Sequence, residues 1–533
     1  MNLHTPFARK MAYLVGIMLL LPVLSWLAQP ASSQRPGGRI AQERASAGLS
    51  QASLGEIDPA SETMKLATLG MRGVAVNLLW SKVLHYQKVK DFTSLSATLE
   101  QIAKLQPNFI RVWIFQGWNL SYNISVEFDD YHDRYHWVIR GIDFVQEGLK
   151  YNRDEPTLMR EIGRTVSQKI GRADERVQFR RLFRQDDDFH GARPVGERDN
   201  WLVGKEWFER AVTAVETGGK RMKSGIGSQG EAEGASPLIY LSEAPLCQIY
   251  YAATMEEEGA FDQAARAAWG RAEQDWLSYG DKPIEIVTGV TTRMSMYDDY
   301  VRESDTAKAK IAELAPGVEK RLEAEKRAGL SEEERQALDT PFSDREGTQY
   351  QLADQALQKI RVMPLEIAAH APPETRAQAL KLAADQMRYE DLKATINTSR
   401  DIVNYVYWLN RCRAEQTEEA LAARRLFFEG QQAQNEVELE KARAAYEAGF
   451  VQWRKLLDNE RFALLIKDGM TGADLVDVVQ HYRRCLKELD EEFPEDFILA
   501  DVLREHEPPS PTTTPSTDAG QDTPPLENKQ TQE

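Results

Sequence analysis

Apolar residues recur at helical spacing along most of the chain, and the pattern is clearest between Leu69 and Pro156. Steps of three and four residues place such side chains on one face of a helix. Here they predict two helices joined by a short polar turn, the second ending before Pro107, which cannot continue a helix interior. The apolar positions are Val76, Leu79, Val83 and Tyr86 in the first helix and Leu95, Leu99, Ile102 and Leu105 in the second.

A second helical hairpin follows directly. Trp113 and Gly117 lie four residues apart on its first helix, and Gly141 and Gly148 mark the partner helix. A small residue at such a position lets the neighbouring helix approach closely. Between the two helices, Ser125 to His136 is predicted to form an insertion that projects from one face.

These two hairpins resemble the tetratricopeptide repeat, a helix–turn–helix motif of about 34 residues. Ala264, within a further predicted hairpin, matches the alanine of that family's second helix. More narrowly, residues 69–156 resemble a group of bacterial envelope proteins with one N-terminal anchor and divergent repeats. Some members of that group carry an iron-responsive-element label, which these residues do not support. The other matching residues are Tyr86, Asp91, Phe92 and Pro107 in the first hairpin and Trp113 and Gly117 in the second.

The resemblance implies an all-α solenoid of divergent tetratricopeptide-like hairpins, with an N-terminal transmembrane helix and a disordered C-terminal tail. Changes in composition divide the chain into segments. These are an anchor or signal segment (1–31), a flexible tether (32–61), tetratricopeptide-like repeats (62–216), a glycine-rich linker (217–237), further hairpins (238–316), a charged helical arm (317–372), C-terminal helical repeats (373–506) and a disordered Pro/Thr-rich tail (507–533).

The N-terminal segment predicts attachment to a membrane. Residues 11–28 form an almost unbroken apolar run, preceded by Arg9 and Lys10 and long enough to span a bilayer. An uncleaved anchor is favoured, which predicts a single-pass protein of the bacterial inner membrane with the bulk of the chain extracytoplasmic. The alternative is a secreted or periplasmic protein after signal cleavage.

Composition excludes several classes of function. The formal net charge of -17 argues against sequence-independent affinity for nucleic acid or anionic lipid. Cys247, Cys412 and Cys485 lie far apart and are odd in number, so they predict neither a disulfide framework nor a metal cluster. No cofactor is predicted. Gly225, Gly227 and Gly230 spell GxGxxG, but a predicted helix upstream and Ser236-Pro237 downstream favour a linker over a dinucleotide site.

The predicted insertion is the first candidate for chemistry. His132 and His136, four residues apart, can share a metal ion on a helix, and Asp129 lies nearby. A zinc hydrolase of the HExxH type needs Glu directly after the first histidine, and Asp133 occupies that position. A polar loop with surface histidines is favoured, and a metal-binding protein or metal-dependent hydrolase is the alternative function.

The second candidate is a partner-binding surface on the first helix of the second hairpin. Trp113 and Trp118 are five residues apart, so they point in different directions and one can face a groove. Asn119 and Asn123, four apart, match asparagines that clamp a peptide backbone in tetratricopeptide grooves, and Tyr122 lies between them. Tryptophan and tyrosine bury much area at low entropy cost. The predicted function is therefore a membrane-tethered scaffold that binds an unknown protein or peptide partner.

A third pattern is the arginine-rich run from Arg176 to Phe189. Its arginines can form an anion site, but Asp186, Asp187 and Asp188 follow directly and offer internal partners. A solvated face or loop is therefore favoured.

Overall fold

The structure is a computed structural model that describes residues 72–222, 236–287 and 290–507, with a few single positions between 18 and 43. The chain divides into two compact units, Met1–Arg413 and Ala414–Glu533. Helices dominate both, which confirms the prediction of an all-α fold. One antiparallel pair of short strands, β1 (Ile284–Val287) and β2 (Val290–Thr292), was not predicted.

The first unit begins with helices that pair as hairpins. The first pairs with the second, the third with the fourth, the fifth with the ninth and the eleventh with the twelfth. The helices are α1 (Arg72–Lys88), α2 (Phe92–Leu105), α3 (Ile110–Trp118), α4 (Tyr131–Tyr151), α5 (Pro156–Arg164), α6 (Ile170–Arg172), α7 (Arg176–Gln185), α8 (Asp187–His190), α9 (Asn200–Glu216), α10 (Pro237–Tyr240), α11 (Glu243–Glu257) and α12 (Gln263–Gly280). Two π-helical segments extend the third and fifth helices, Asn119–Ile124 and Thr165–Lys169.

After the two strands, α13 (Tyr297–Leu314) pairs with a long helix that lies far downstream in sequence. Four shorter helices are inserted between them. The remaining helices of this part are α14 (Val318–Ala328), α15 (Glu332–Asp339), α16 (Gln349–Ile360), α17 (Pro364–Ala369), α18 (Pro373–Ile402) and α19 (Tyr405–Ala414).

The second unit is built on a pair of antiparallel helices, followed by two more. Gly430 and Gly449 lie against the rings of Tyr446 and Phe427, so an aromatic side chain of each helix packs on a glycine of the other. The helices are α20 (Glu418–Asn435), α21 (Leu439–Leu457), α22 (Gly469–Glu488) and α23 (Ala500–His506).

Short 3₁₀ segments connect several helices. They are Ser125–Glu127, Val195–Glu197, Met294–Met296, Phe342–Asp344 and Ala463–Lys467.

The first hairpin forms as its apolar pattern predicts. Lys90 adopts a left-handed conformation, with φ 58°, and turns the chain between the helices. Asp91 then accepts a hydrogen bond from the Ser94 amide at 3.1 Å and caps α2. The predicted core positions Leu95 and Ile102 are fully buried. Local capping and one-sided burial together fix this hairpin.

The predicted insertion between α3 and α4 is shorter than expected. Only residues 125–130 lie outside the α- and π-helices, because α4 begins at Tyr131. The Asp130 carboxylate accepts the His132 amide at 2.7 Å, which starts the helix there. The second half of the predicted insertion, including His132 and His136, is therefore the first part of α4.

Glycines allow α3 and α4 to meet almost backbone to backbone. A Cβ atom on Gly141 would lie 2.6 Å from the carbonyl oxygen of Gly117 and 3.0 Å from the amide nitrogen of Ser121. The next hairpin repeats the arrangement, since a Cβ on Gly163 would lie 3.1 Å from the carbonyl oxygen of Gly204. A side chain at Gly141 would therefore require the two backbones to move, and one at Gly163 would be tighter than an ordinary Cβ contact.

The charged arm (317–372) packs against the rest of the first unit through a few apolar residues. Val318 and Leu322 are buried with Ile311 and with residues of α17 and α18. Within the arm, Ser331 and Glu334, spaced as S-x-x-E, form a reciprocal capping box at the start of α15. The arm thus packs against the unit through few side chains and leaves most of its charged residues in solvent.

Several predictions fall outside the described residues. They concern the tether, the glycines of the GxGxxG pattern, the C-terminal tail and most of the apolar run at 11–28. Among the described residues, no helix combines the length and the apolar character needed to cross a bilayer.

We expect Gly141→Ala to lower the free energy of unfolding by about 1–3 kcal/mol, the usual cost of overpacking. The added methyl group would force α3 and α4 apart. Gly196→Ala is the control, because a Cβ there has no neighbour within 4 Å. Urea unfolding followed by circular dichroism measures both. Equal stability of the two variants would contradict the close approach of α3 and α4.

The second unit should fold without the first. Phe427, Tyr446, Phe450, Trp453 and Tyr482 form a core made only of residues from Ala414 onward. We therefore expect a fragment of residues 414–533 to give a helical circular dichroism spectrum and a cooperative thermal transition. A fragment that melts without cooperativity would show that this core is insufficient.

Candidate functional site

Four aromatic side chains form a continuous row across the first helices of two hairpins. Trp80 of α1 meets Phe115 of α3 edge to face, with ring centroids 5.7 Å apart. Phe115 lies 6.2 Å from Trp118, and Trp118 stacks on Tyr122 at the same separation. We call Trp80, Phe115, Trp118 and Tyr122 the aromatic stripe.

The stripe ends on two cations from the third hairpin. The Arg164 guanidinium carbon lies 5.5 Å from the centroid of the Tyr122 ring, and the Lys169 ammonium lies 5.2 Å from it. Both distances allow a cation–π attraction. Burial lowers the pKa of Lys169 and raises that of the Tyr122 hydroxyl. This end of the stripe is therefore partly shielded from water, which strengthens the attraction.

The two π-helical segments place Tyr122 and Lys169 at this end. Tyr122 belongs to Asn119–Ile124 and Lys169 to Thr165–Lys169, and the two segments contact each other. A π turn contains an extra residue, so it shifts the following side chains around the helix axis. Single π turns are frequent at functional sites.

The stripe remains accessible along its length. Phe115 is 39% exposed, and Trp80, Trp118 and Tyr122 are half-buried. Each ring thus packs on its neighbours and keeps part of its surface exposed to solvent. Large, rigid rings held in this way are the side chains that most often carry the free energy of protein binding.

Trp113 does not belong to this surface. It is 1% exposed, its indole nitrogen donates to the Pro107 carbonyl oxygen at 2.9 Å, and its ring packs against Phe144 and Tyr151. The backbone of Gly148 lies directly against the ring. Of the two tryptophans five residues apart, Trp113 is therefore a core residue, and the partner contact predicted for it has no exposed side chain to make it.

Asn119 and Asn123 bond to each other. The Asn123 side-chain amide donates to Asn119 Oδ1 at 2.9 Å, within the π segment. Asn119 is buried and Asn123 is half-buried. The pair therefore stabilises the wide turn under Tyr122, and only Asn123 can reach a ligand from the surface.

His132 and His136 lie one turn apart on α4, as their spacing predicts, and both are exposed. His132 Nδ1 lies 2.9 Å from Asp130 Oδ1. Asp129, the predicted third ligand, is exposed in the loop before the helix. Within the described ranges, no three histidine, cysteine, aspartate or glutamate side chains are grouped as metal ligands would be.

Sequence reasoning included the aromatic residues of this region but missed Arg164 and Lys169. Both lie in the helix that follows α4, where the pattern indicated only a buried face. A repeated Gly-x-x-x-Ser signal precedes or overlaps both π segments, at Gly117–Ser121 and Gly163–Ser167. The Ser167 hydroxyl bonds the Gly163 carbonyl oxygen at 2.7 Å, and this local bond competes with regular helix geometry.

Comparison of the chain with protein-family models, with curated proteins and with solved structures finds no match. The resemblance to tetratricopeptide repeats therefore depends on the residues quoted for it, and the functional argument depends on the chemistry of the site.

Proposed function

We propose that the protein is a membrane-tethered scaffold that binds a partner protein through the aromatic stripe. The tether is the apolar run at residues 11–28, with the bulk of the chain on the extracytoplasmic side of a bacterial inner membrane. The hairpins that carry the stripe belong to a divergent tetratricopeptide-like solenoid. The observation on which the proposal depends most is the row of half-buried rings from Trp80 to Tyr122.

The rings suit binding because they are already ordered. Trp118 stacks on Tyr122 with only 20° between the ring planes, and Phe115 contacts Trp118 from the other side. A partner that covers them loses little side-chain entropy in this protein. Phe115, Trp118 and Tyr122 lie on α3 and its π-helical extension. Because glycine contacts hold α3 against α4, these three rings cannot withdraw into the core without opening that hairpin.

The chemistry of the stripe also indicates the kind of partner. Apolar side chains of the partner would cover Phe115 and Trp118. At the other end, Lys169 forms no ion pair within the described residues, and burial disfavours its charge. A carboxylate of the partner would restore a favourable environment for that ammonium. We therefore propose a partner segment with apolar anchors followed by an acidic residue.

The central prediction concerns Trp118 and Asn123. We expect the Trp118→Ala/Asn123→Ala double variant to retain the helical spectrum of the wild type, because neither side chain is fully buried. Loss of the largest ring should reduce recovery of the crosslinked partner by roughly tenfold or more. A photoreactive residue at Phe115, followed by mass spectrometry of crosslinked native membranes, provides the measurement.

Phe342→Ala is the matched control, since Phe342 is an exposed aromatic residue of the charged arm, outside the stripe. Its crosslinks from Phe115 should equal those of the wild type. Unchanged recovery in the Trp118→Ala/Asn123→Ala variant would count against the stripe as the binding surface.

Elemental analysis tests the alternative function, metal binding or metal-dependent hydrolysis through His132, His136 and Asp129. Only His132 is placed against a carboxylate, that of Asp130. Two exposed imidazoles give a weak site, so we expect substoichiometric zinc and iron in the purified protein. One equivalent of metal that disappears in the His132→Ala/His136→Ala variant would favour the alternative.

A further inference from the structure

A cavity away from the stripe residues has the chemistry of an anion site. It has a volume of about 300 Å³ and lies within the first unit, between α6, α7, α11 and α19. Four arginines and one glutamate line it, which is a strong local excess of positive charge in a protein of net charge -17. We call it the arginine pocket; its arginines are Arg172, Arg176, Arg180 and Arg411.

Arg180 forms the buried wall of the pocket. It is 3% exposed, and one terminal nitrogen donates to Thr254 Oγ1 at 3.0 Å. Glu257 accepts its weaker bonds at 3.3 and 3.4 Å. The Nε atom makes no hydrogen bond in the described structure, because Glu258 Oε1 remains 3.6 Å away. Glu257 and Glu258 pair with the charge of Arg180, but an additional acceptor for Nε would relieve the cost of a buried donor that makes no hydrogen bond.

Arg172 and Arg176 occupy the accessible side of the pocket. Both are exposed, and neither forms an ion pair in the part of the chain that the structure describes. The Arg172 guanidinium lies 4.2 Å above the ring centroid of Tyr250. Stacking on a ring fixes the plane of the guanidinium while its N–H groups, which lie in that plane, remain able to donate.

The aspartates that follow the arginine run do not neutralise it. Asp187 accepts a hydrogen bond from Arg198 at 2.6 Å. Asp186 accepts the Tyr135 hydroxyl at 2.9 Å and the Phe189 amide. The expectation that these carboxylates pair with the preceding arginines is therefore wrong for Asp186 and Asp187, and the positive charge of Arg172 and Arg176 remains available to a ligand.

Three aromatic rings, together with Ile249 and Ala253, form the apolar part of the pocket wall. Tyr250 meets Trp408 edge to face at 5.7 Å, and Trp201 lies 4.9 Å from Tyr250. These rings line the pocket and place apolar atoms beside the guanidinium groups. A site of this size, with an apolar wall and a few convergent donors, is typical of small organic ligands.

We propose that the arginine pocket binds a small phosphomonoester, with the phosphate among Arg172, Arg176 and Arg180 and the organic group against Tyr250 and Trp408. A phosphate dianion fits better than a single carboxylate. It offers three terminal oxygens to several guanidinium forks and balances more of their charge. This inference uses none of the stripe residues, so it stands or fails independently of the proposed scaffold function.

Isothermal titration calorimetry of the full chain with phenyl phosphate, inorganic phosphate and benzoate tests the proposal. We expect one-to-one binding of phenyl phosphate. Inorganic phosphate should bind more weakly because it has no ring to contact the aromatic wall, and benzoate should bind more weakly because it has a carboxylate in place of the phosphate. Replacing Arg172 and Arg176 by glutamine should raise the Kd for phenyl phosphate by roughly tenfold or more, because charged hydrogen bonds are lost.

The control is Lys381→Gln/Arg388→Gln, which removes two exposed cations of α18 outside the pocket. This variant should bind phenyl phosphate as the wild type does. Because all four exchanged side chains are exposed, both variants should keep the helical spectrum of the wild type.

Four results would contradict the proposal. The first is the absence of saturable phenyl phosphate binding up to about 10 mM, the weak limit for a specific small ligand. The second is equal Kd values in the wild type and the Arg172→Gln/Arg176→Gln variant. The third is binding of benzoate as tight as that of phenyl phosphate, which would remove the case for a dianion. Inorganic phosphate binding as tightly as phenyl phosphate would overturn the contribution of the aromatic wall.

Discussion

The close approach of paired helices at glycine is the constraint on which the first unit depends. At Gly117 and Gly141 the two backbones leave no room for a side chain, and Gly163 and Gly204 repeat this in the next hairpin. Such contacts fix the distance and the rotation of one helix against the other, because only one register brings two glycines together. Larger side chains on either side, such as Trp113 against Gly148, then fill the space that this register leaves. The glycines set the geometry, and apolar burial supplies most of the stabilisation.

The aromatic stripe follows from that geometry. With α3 and α4 locked at Gly117, the side chains of Phe115 and Trp118 are turned away from the glycine contact, and the wide turn that begins at Asn119 carries Tyr122 toward the next hairpin. The partner π segment brings Lys169 to the same place. A regular helix through either segment would rotate these residues away from each other. The structure therefore uses local departures from helix geometry to join side chains of two hairpins into one surface.

The parts of the fold that the sequence predicts are those determined by short-range patterns. Apolar spacing and Pro107 define α1 and α2, and the capping box at Ser331 follows from four residues. The pairing of α13 with α18 cannot be predicted in this way. Four helices of the arm separate the two in sequence, and apolar periodicity carries no information on distant partners. The π segments have only the weak Gly-x-x-x-Ser signal. The sequence predicts a site at Trp118 from the chemistry of that one side chain. The contact of Lys169 with Tyr122 depends on where two π-helical segments meet, which the sequence does not specify.

The arginine pocket shows that the neutralisation of charges, like the pairing of distant helices, cannot be predicted from the sequence alone. In the sequence, Asp186 to Asp188 directly follow the arginine run, so the pattern predicts that the run is solvated and neutralised by its own carboxylates. In the fold, Asp187 is bonded to Arg198, while Tyr250 and Trp408 arrive from distant helices and turn an exposed basic run into one wall of a cavity. Whether a charge is neutralised depends on three-dimensional neighbours within a few ångströms. A local excess of positive charge in an acidic protein can therefore be recognised only from the tertiary structure.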